Sequence, residues 1–343
     1  MSVTSVAKDS YFYGGNMDAL LFAVNAVAPL VLLILIGYVL RLIKIIDEQF
    51  LKTLNKIVFN IFMPVLLFVN LYDLEGINDL NWSFVLYAYI GTVVMFLIGI
   101  LVAKLFIVEK QYKGAVIQSV FRANNMVLGL PLATALFGVE GAALASLLVL
   151  TTPLLNIFSV LTFTIFDRQL SQKLTIGVVI KKIITNPLNI GVFIAVMTLL
   201  IRALLIQNGV TFRLTDIPGL YPAIKYIAMV TTPIALIMLG GQFKFKSATN
   251  YIKPIIVGTT FRLVIIPALA LTITYYLFPD FGGAAFAAAV ALYATPAAVV
   301  SAVIAKEMGG DDNLAGQIVV WSTIFSIPSI IAIIYILRII GIF

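Results

Sequence analysis

The side chains most able to do chemistry lie in one apolar run, residues 114–137, which is long enough to cross a bilayer. Its polar and helix-breaking residues are Arg122, Asn124, Asn125, Gly129 and Pro131. Hydrocarbon offers no water to unpaired polar groups, so irregular backbone at this depth is tolerated only where protein buries it or where it lines a cavity. The run therefore predicts a discontinuous helix at a polar site inside a membrane protein.

Arg122 is placed at the middle of the predicted membrane core. It follows Lys113 by nine residues, or about 14 Å of helix, in a core about 30 Å thick. The acidic residues all fall near the ends of apolar runs or between them, so none is an obvious partner. A buried guanidinium is costly unless it is paired. An anionic substrate would supply a partner; the alternative is that Arg122 bonds carbonyls of the broken helix or faces a watery vestibule.

Arg262 lies nine residues after Lys253 and so at a similar depth. Two guanidiniums suit a dicarboxylate, because each holds one carboxylate through paired hydrogen bonds. The alternative is that Arg262 holds the structure around the site together.

The amides and the proline break complete the candidate substrate site. Asn124 and Asn125 offer donors and acceptors, and the half-helix that follows them presents a partially positive N-terminus to a carboxylate. Thr295 and Pro296 are the corresponding candidates later in the chain, and Asn60 is a further pocket candidate. For the amides, the alternative is hydrogen bonding between helices, which is common in membranes.

Composition sets the class of protein. Of the 343 residues, 62% are hydrophobic and 11% are charged, and the mean hydropathy is +1.11, which indicates an all-α, multi-pass membrane protein. The absence of cysteine and histidine excludes disulfides, thiol chemistry and histidine-based metal sites. No catalytic set, cofactor or metal site is evident, so an enzyme is not expected.

Ten transmembrane helices are predicted from the apolar runs. They cover residues 18–40, 51–72, 82–107, 113–137, 141–166, 187–206, 220–242, 252–278, 283–306 and 313–340. The corresponding division is a polar N-terminal lead (1–17), a first five-helix repeat (18–166), a cytoplasmic connector (167–186) and a second five-helix repeat (187–343).

Lysine and arginine in the connections predict the orientation, because cytoplasmic loops carry the excess. The richer side holds Arg41, Lys44, Lys52, Lys104, Lys110, Lys113, Arg168, Lys173, Lys181, Lys182, Lys244, Lys246, Lys253 and Lys306. The poorer side holds Lys8, Arg202, Arg213, Lys225 and Arg338. Both termini are therefore expected outside the cell. The asymmetry also explains much of the net charge of +7 without nucleic acid.

An internal repeat is suggested at an offset of about half the chain. At that offset Asn124-Asn125 corresponds to Thr295-Pro296, and Met63-Pro64 to Thr232-Pro233. Interrupted helices at matching places in two inverted halves are typical of secondary transporters. The alternative is chance similarity between apolar segments.

The stretch Arg122-Ala123-Asn124-Asn125-Met126-Val127-Leu128-Gly129-Leu130-Pro131-Leu132 resembles the fourth-helix signature of the auxin efflux carrier family. That family includes plant carriers and bacterial permeases for malate and related acids. Further matches are Thr295-Pro296, Ala305-Lys306-Glu307, Asn186-Pro187 and Phe325-Ser326-Ile327-Pro328.

The resemblance implies a scaffold of spans one, two, six and seven, and a transport domain of spans three to five and eight to ten. Helices four and nine would break and cross, and a homodimer would form through the scaffold. Plant members carry proline where this chain has Asn124, so the break is expected to rest on Gly129 and Pro131.

These observations predict a secondary transporter in the plasma membrane that moves small organic anions of the malate type, and the resemblance implies elevator-like alternating access. An anion channel remains an alternative, as does a sodium- or proton-coupled carrier for another substrate such as an indole acid. An intramembrane enzyme lacks an evident catalytic set.

Overall fold

The computed structural model describes residues 3–74, 81–166, 184–243 and 251–343, with side chains from Met17 onward except those of Thr164 and Glu307. Regular structure in these ranges is entirely helical, apart from one isolated bridge between Ala123 and Ala297. The all-α class is thus confirmed. The predicted connector lies mostly outside the described residues.

The first half of the chain forms α1 to α7. Their bounds are α1 Val3–Leu42, α2 Glu48–Ile57, α3 Met63–Tyr72, α4 Trp82–Phe106, α5 Lys110–Phe121, α6 Leu130–Leu147 and α7 Thr152–Phe166. α1 begins at Val3, so residues 3–17 of the predicted N-terminal lead lie in this helix.

The second half forms α8 to α14. Their bounds are α8 Pro187–Gln207, α9 Leu220–Gly241, α10 Ile252–Thr260, α11 Ile266–Leu277, α12 Gly283–Tyr293, α13 Val300–Glu307 and α14 Asp312–Ile339. Outside the interruptions within spans, the helix ends lie within about one turn of the predicted span ends, apart from the start of α1 and the predicted boundary at 137–141, which falls inside α6.

Eight helical stretches of the described chain are long and apolar enough to cross a membrane. They are Met17–Leu42, Glu48–Tyr72, Trp82–Phe106, Asn125–Phe163, Pro187–Gln207, Leu220–Gly241, Ile252–Leu277 and Asp312–Ile339. The longest of them is bent, because Phe137 leaves helical geometry and Gly138 adopts φ 53° and ψ −132°. That backbone conformation favours glycine, and it falls where the sequence predicts one span to end and the next to begin.

Three of the long helices contain one wide turn of π-helix, at Val58–Phe62, Asn125–Gly129 and Phe261–Ile265. Each wide turn ends two residues before a proline, at Pro64, Pro131 and Pro267 respectively. Proline removes one backbone donor, and its ring collides with the carbonyl four residues earlier in a regular α-helix. Widening the preceding turn relieves that collision, so these helices continue through their prolines.

Close backbone approach joins α1 to α9 and α3 to α8. A Cβ atom built on Gly240 would lie 1.8 Å from the carbonyl oxygen of Ile34, and one on Gly37 would lie 1.9 Å from that of Ile237. Gly191 meets the backbone of Pro64 in the same way, at 2.5 Å. Small residues serve this purpose in membranes, where packing takes over from the hydrophobic effect. Together with the contact between α9 and α3, these contacts make one group of α1, α3, α8 and α9.

The remaining helices pack around α5 and α6, except α2, which contacts α9 of the first group. α5 contacts α4, α7, α10, α13 and α14, while α6 lies along α12. The α12 face is almost all alanine, and Gly129 approaches it so closely that an added Cβ would lie 2.8 Å from that of Ala291. Positions 122–125 and 294–299 are thereby held inside a body of tightly packed helices.

A methyl group at Gly240 is expected to separate α1 from α9. Gly240→Ala should lower the free energy of unfolding by about 1–3 kcal/mol, because the α1 backbone stands where the methyl must go. Thermal unfolding in detergent measures the effect. Gly316→Ala is the matched control: nothing lies within 4 Å of its Cβ position in α14, so it should stabilise by about 0.5–1 kcal/mol. Equal melting temperatures for both variants would contradict the close packing.

Candidate functional site

Two helix breaks meet and pair at the centre of the candidate site. α5 ends at Phe121, and Arg122 is extended, with φ −97° and ψ 92°. The second break occupies residues 294–299, between α12 and α13. The two segments run antiparallel: the Asn124 N–H donates to the Pro296 carbonyl at 2.8 Å, and the Ala298 N–H donates to the Arg122 carbonyl at 2.9 Å. The breaks thus satisfy backbone groups that hydrocarbon would leave unpaired.

The position of the first break corrects one expectation. The non-helical residues are 122–124, whereas Gly129 has φ −69° and ψ −46° and Pro131 lies in the first turn of α6, both in helical backbone. The break follows from its pairing with the second segment. Gly129 instead permits the close approach to Ala291, and Pro131 accompanies the wide turn.

Arg262 lies in the wide turn between α10 and α11, and its guanidinium contacts both helix breaks. It is fully buried, and its Nε donates to the Thr295 carbonyl at 2.6 Å. Its two terminal nitrogens donate to the carbonyls of Val120, at 3.0 Å, and Leu292, at 2.7 Å. These carbonyls lie at the C-terminal ends of α5 and α12, where intrahelical donors run out. Arg262 therefore caps the two half-helices, which is the structural alternative stated for it above.

Arg122 has neutral partners. One terminal nitrogen donates to Ser159 Oγ and the other to Asn156 Oδ1, both at 3.0 Å. The ion pairs recorded for the described chain, Arg41–Glu48 and Lys225–Asp73, include neither Arg122 nor Arg262. Arg122 thus brings a full positive charge to the crossing.

Two buried hydrogen-bond donors at the first break have no acceptor within the described ranges; they are called the open donors below. Arg122 Nε and Asn124 Nδ2 have no hydrogen-bond partner within the described ranges, although their residues are only 6% and 4% exposed. Side chains two residues apart in an extended segment point to the same side. A buried donor without an acceptor is costly, so this pair is suited to an oxygen-bearing anion.

The ends of the half-helices add to the positive character of the site. The helix that begins with the wide turn at Asn125 starts directly after the first break, and α13 starts at Val300 directly after the second. Each N-terminus carries about half a positive charge. The opposing C-termini, of α5 and α12, are those capped by Arg262.

The other predicted site residues have more limited roles in the geometry. Thr295 is fully buried, and its hydroxyl donates to the Ala291 carbonyl of its own helix at 2.7 Å. Pro296 contributes its carbonyl to the pairing, and Asn125 is buried at the start of the wide turn. Asn60 lies in the wide turn Val58–Phe62 and is exposed, so it is not part of the buried cluster.

Sequence reasoning missed the groups that orient Arg122. Asn156 and Ser159 lie three positions apart, so they share one face of α7. A polar pair at that spacing in an apolar span is a signal that points to a common partner. Gln118, one turn before Arg122, was also missed; it is fully buried, and neither its amide nitrogen nor its amide oxygen has a partner in the described chain.

A buried polar crossing of broken helices in an apolar, all-helical body is typical of membrane transporters. The comparisons agree: the chain belongs to the membrane transport protein family, whose profile matches residues 22–334. This confirms the resemblance to auxin efflux carriers and permeases.

The chain is also similar to two archaeal proteins. An uncharacterized transporter from Methanothermobacter thermautotrophicus is 28% identical over 310 residues, which cover 89% of this chain and 95% of the relative. An uncharacterized transporter from Methanocaldococcus jannaschii is 24% identical over 258 residues, which cover 73% of this chain and 78% of the relative.

Arg262→Lys tests the capping role. A lysine keeps the charge but not the rigid fork, so carbonyls of α5 and α12 lose donors at about 1–3 kcal/mol each. We expect a markedly lower melting temperature in detergent without substrate. The exposed Arg338→Lys is the control and should melt close to the wild type. An unchanged melting temperature for Arg262→Lys would contradict the capping role.

Proposed function

We propose that the protein is a secondary transporter for small organic anions, and that the substrate binds at the crossing of the two broken helices. The observation that carries this proposal is the pair of open, buried donors, Arg122 Nε and Asn124 Nδ2. The first of them belongs to a guanidinium that has no acidic partner in the described ranges, and the second is on the residue two positions later. A carboxylate would accept from both donors and balance the charge.

The electrostatics favour an anion over a cation. A sodium or proton site in a membrane is typically built from buried carboxylates. At this crossing the charged side chains are the guanidiniums of Arg122 and Arg262, and two helix N-termini open onto it. A malate-type dicarboxylate is the proposed substrate.

The proposed architecture is ten membrane spans in two inverted five-helix repeats. Broken helices at corresponding places, α5–α6 and α12–α13, support it. The mutual packing of α1, α3, α8 and α9 supports their assignment to a scaffold, to which α2 belongs as the start of the second span, with the remaining helices as a transport domain. Elevator movement, a homodimer through the scaffold, and a plasma-membrane location with both termini outside complete the proposal.

The surface between the proposed scaffold and the proposed transport domain suits sliding of one group of helices past the other. An apolar cavity there is lined from α1 by Val27, Leu30, Val31 and Ile34 and from the other group mainly by aliphatic side chains, including Leu128, Leu132 and Ile330. The two hydroxyls in its wall, those of Thr323 and Ser326, donate to carbonyls of their own helix. Translation across such a surface breaks few hydrogen bonds.

Flux of radiolabelled malate into liposomes containing the purified protein tests the substrate class. Arg122→Gln and Asn124→Ala should each reduce affinity about 10- to 150-fold, since a hydrogen bond to a charged group is worth about 1.5–3 kcal/mol. Unlabelled dicarboxylates, monocarboxylates and an indole acid serve as competitors.

Asn25→Ala is the control for this experiment, because Asn25 is exposed on α1; its flux should equal that of the wild type. Absence of malate flux, with no competition or binding by any carboxylate, would overturn the proposed substrate class. Flux that does not saturate would favour a channel.

Cross-linking tests the movement of the two groups. The chain has no native cysteine, so Val27→Cys with Ile330→Cys introduces thiols only on opposite walls of the cavity. Bridging them with a short bismaleimide should abolish flux. Ser119→Cys with Gly258→Cys is the control within one group: the Cβ atoms would lie 3.5 Å apart, close enough for a disulfide, and flux should survive oxidation. Survival of flux in the bridged Val27–Ile330 pair would contradict an elevator.

A further inference from the structure

We propose that this transporter is an obligate exchanger of dianions: the occupied site reorients readily, whereas the empty site does not. The inference rests on the proposed function and adds the coupling mode. It follows from the charges that the crossing holds in the absence of substrate.

Arg262 is electrically balanced by the protein itself. Its guanidinium bonds carbonyls at the C-terminal ends of α5 and α12. Each helix C-terminus carries about half a negative charge, so two of them offset one guanidinium. Arg262 therefore leaves little charge for a substrate to neutralise.

Arg122 has no such balance. Its partners, Asn156 Oδ1 and Ser159 Oγ, are neutral, and Nε is open. The helix N-termini at Asn125 and Val300 face the same crossing and add about half a positive charge each. The uncompensated charge of the empty site is therefore about +2, which a dicarboxylate dianion neutralises.

This balance controls movement through the membrane. An elevator carries the whole crossing, with its charge, through the low-dielectric part of the bilayer, where uncompensated charge is strongly disfavoured. With a dianion bound, the moving body is close to neutral at the crossing. Without one it retains the full charge, so it returns only after binding another dianion. A monoanion leaves part of the charge in place and should exchange more slowly.

The first measurement compares the uptake of radiolabelled malate into two kinds of proteoliposome. Those that contain unlabelled malate report exchange, and those that contain only an impermeant zwitterionic buffer report net uptake. Exchange should be at least about tenfold faster than net uptake, since a tenfold ratio needs only about 1.4 kcal/mol of additional barrier. Exchange of equal charges should also be insensitive to a potassium diffusion potential set with valinomycin.

The second measurement gives Arg122 a counter-ion without changing shape. Asn156→Asp replaces the amide oxygen already 3.0 Å from the guanidinium with a carboxylate oxygen, and leaves both open donors in place. The empty crossing then carries less charge, so the ratio of exchange to net uptake should fall toward one. Arg122→Gln should lower the ratio in the same direction wherever residual flux is measurable.

Asn81→Asp is the matched control, because it makes the same change at the N-cap of α4. There the side chain accepts from the Phe84 N–H at 2.9 Å, and an acid is well tolerated. Its exchange ratio should equal that of the wild type.

The outcomes separate this inference from the proposed function. Malate uptake of equal rate in loaded and empty vesicles, or an Asn156→Asp variant that folds and keeps the wild-type ratio, would overturn obligate exchange while leaving the transporter intact. Absence of both flux and equilibrium binding of malate would overturn the proposed substrate, and the exchange inference with it. A high wild-type ratio that collapses in Asn156→Asp but not in the Asn81→Asp control would support the inference.

Discussion

The antiparallel pairing of two broken helices is the constraint on which the rest of this structure depends. Unpaired backbone groups are energetically costly in a membrane interior. Each break leaves carbonyls and N–H groups that its own helix no longer satisfies. The pairing of Asn124 with Pro296 and of Ala298 with Arg122 satisfies some of these groups, and Arg262 satisfies carbonyls of both preceding half-helices. The alanine face of α12 and Gly129 follow from this constraint, because the segments pair only if their helices approach closely.

The two buried arginines show how similar sequence contexts lead to different roles. Both lie nine residues after a lysine, and depth alone makes them equivalent. Their surroundings separate them: Arg262 has carbonyls of two helix ends, while Arg122 has one amide, one hydroxyl and an open Nε. A charge already balanced by protein groups stabilises the fold, and one without balance is available to a ligand. The different roles of Arg122 and Arg262 are set by their hydrogen-bond partners, which the residue type alone does not reveal.

Much of the fold was predictable because the bilayer imposes strong rules on sequence. Apolar runs set the helix ends, and Arg122, Asn124 and Asn125 in one such run marked the break. The position of that break was wrongly assigned to Gly129 and Pro131, since proline and glycine signal irregular backbone only locally. The actual cause is a partner segment about 170 residues away. The sequence made Asn60 a further pocket candidate, and only tertiary structure showed it to be exposed. The spacing of Asn156 and Ser159 on α7 indicates a common partner, but only the packing of α5 against that helix identifies the partner as Arg122.

The wide turns before Pro64, Pro131 and Pro267 have a consequence for how such chains diverge. A π-helical turn is an α-helix with one residue inserted, so each of these turns carries a residue that regular helix geometry does not need. The wide turn absorbs that residue, so removing it and replacing the proline would restore regular winding and leave the later side chains on the same face of the helix. In homologous chains, a single-residue gap at one of these points would mark a helix that lacks the wide turn and still presents the same face to the crossing. Length at these positions is therefore as informative as residue identity.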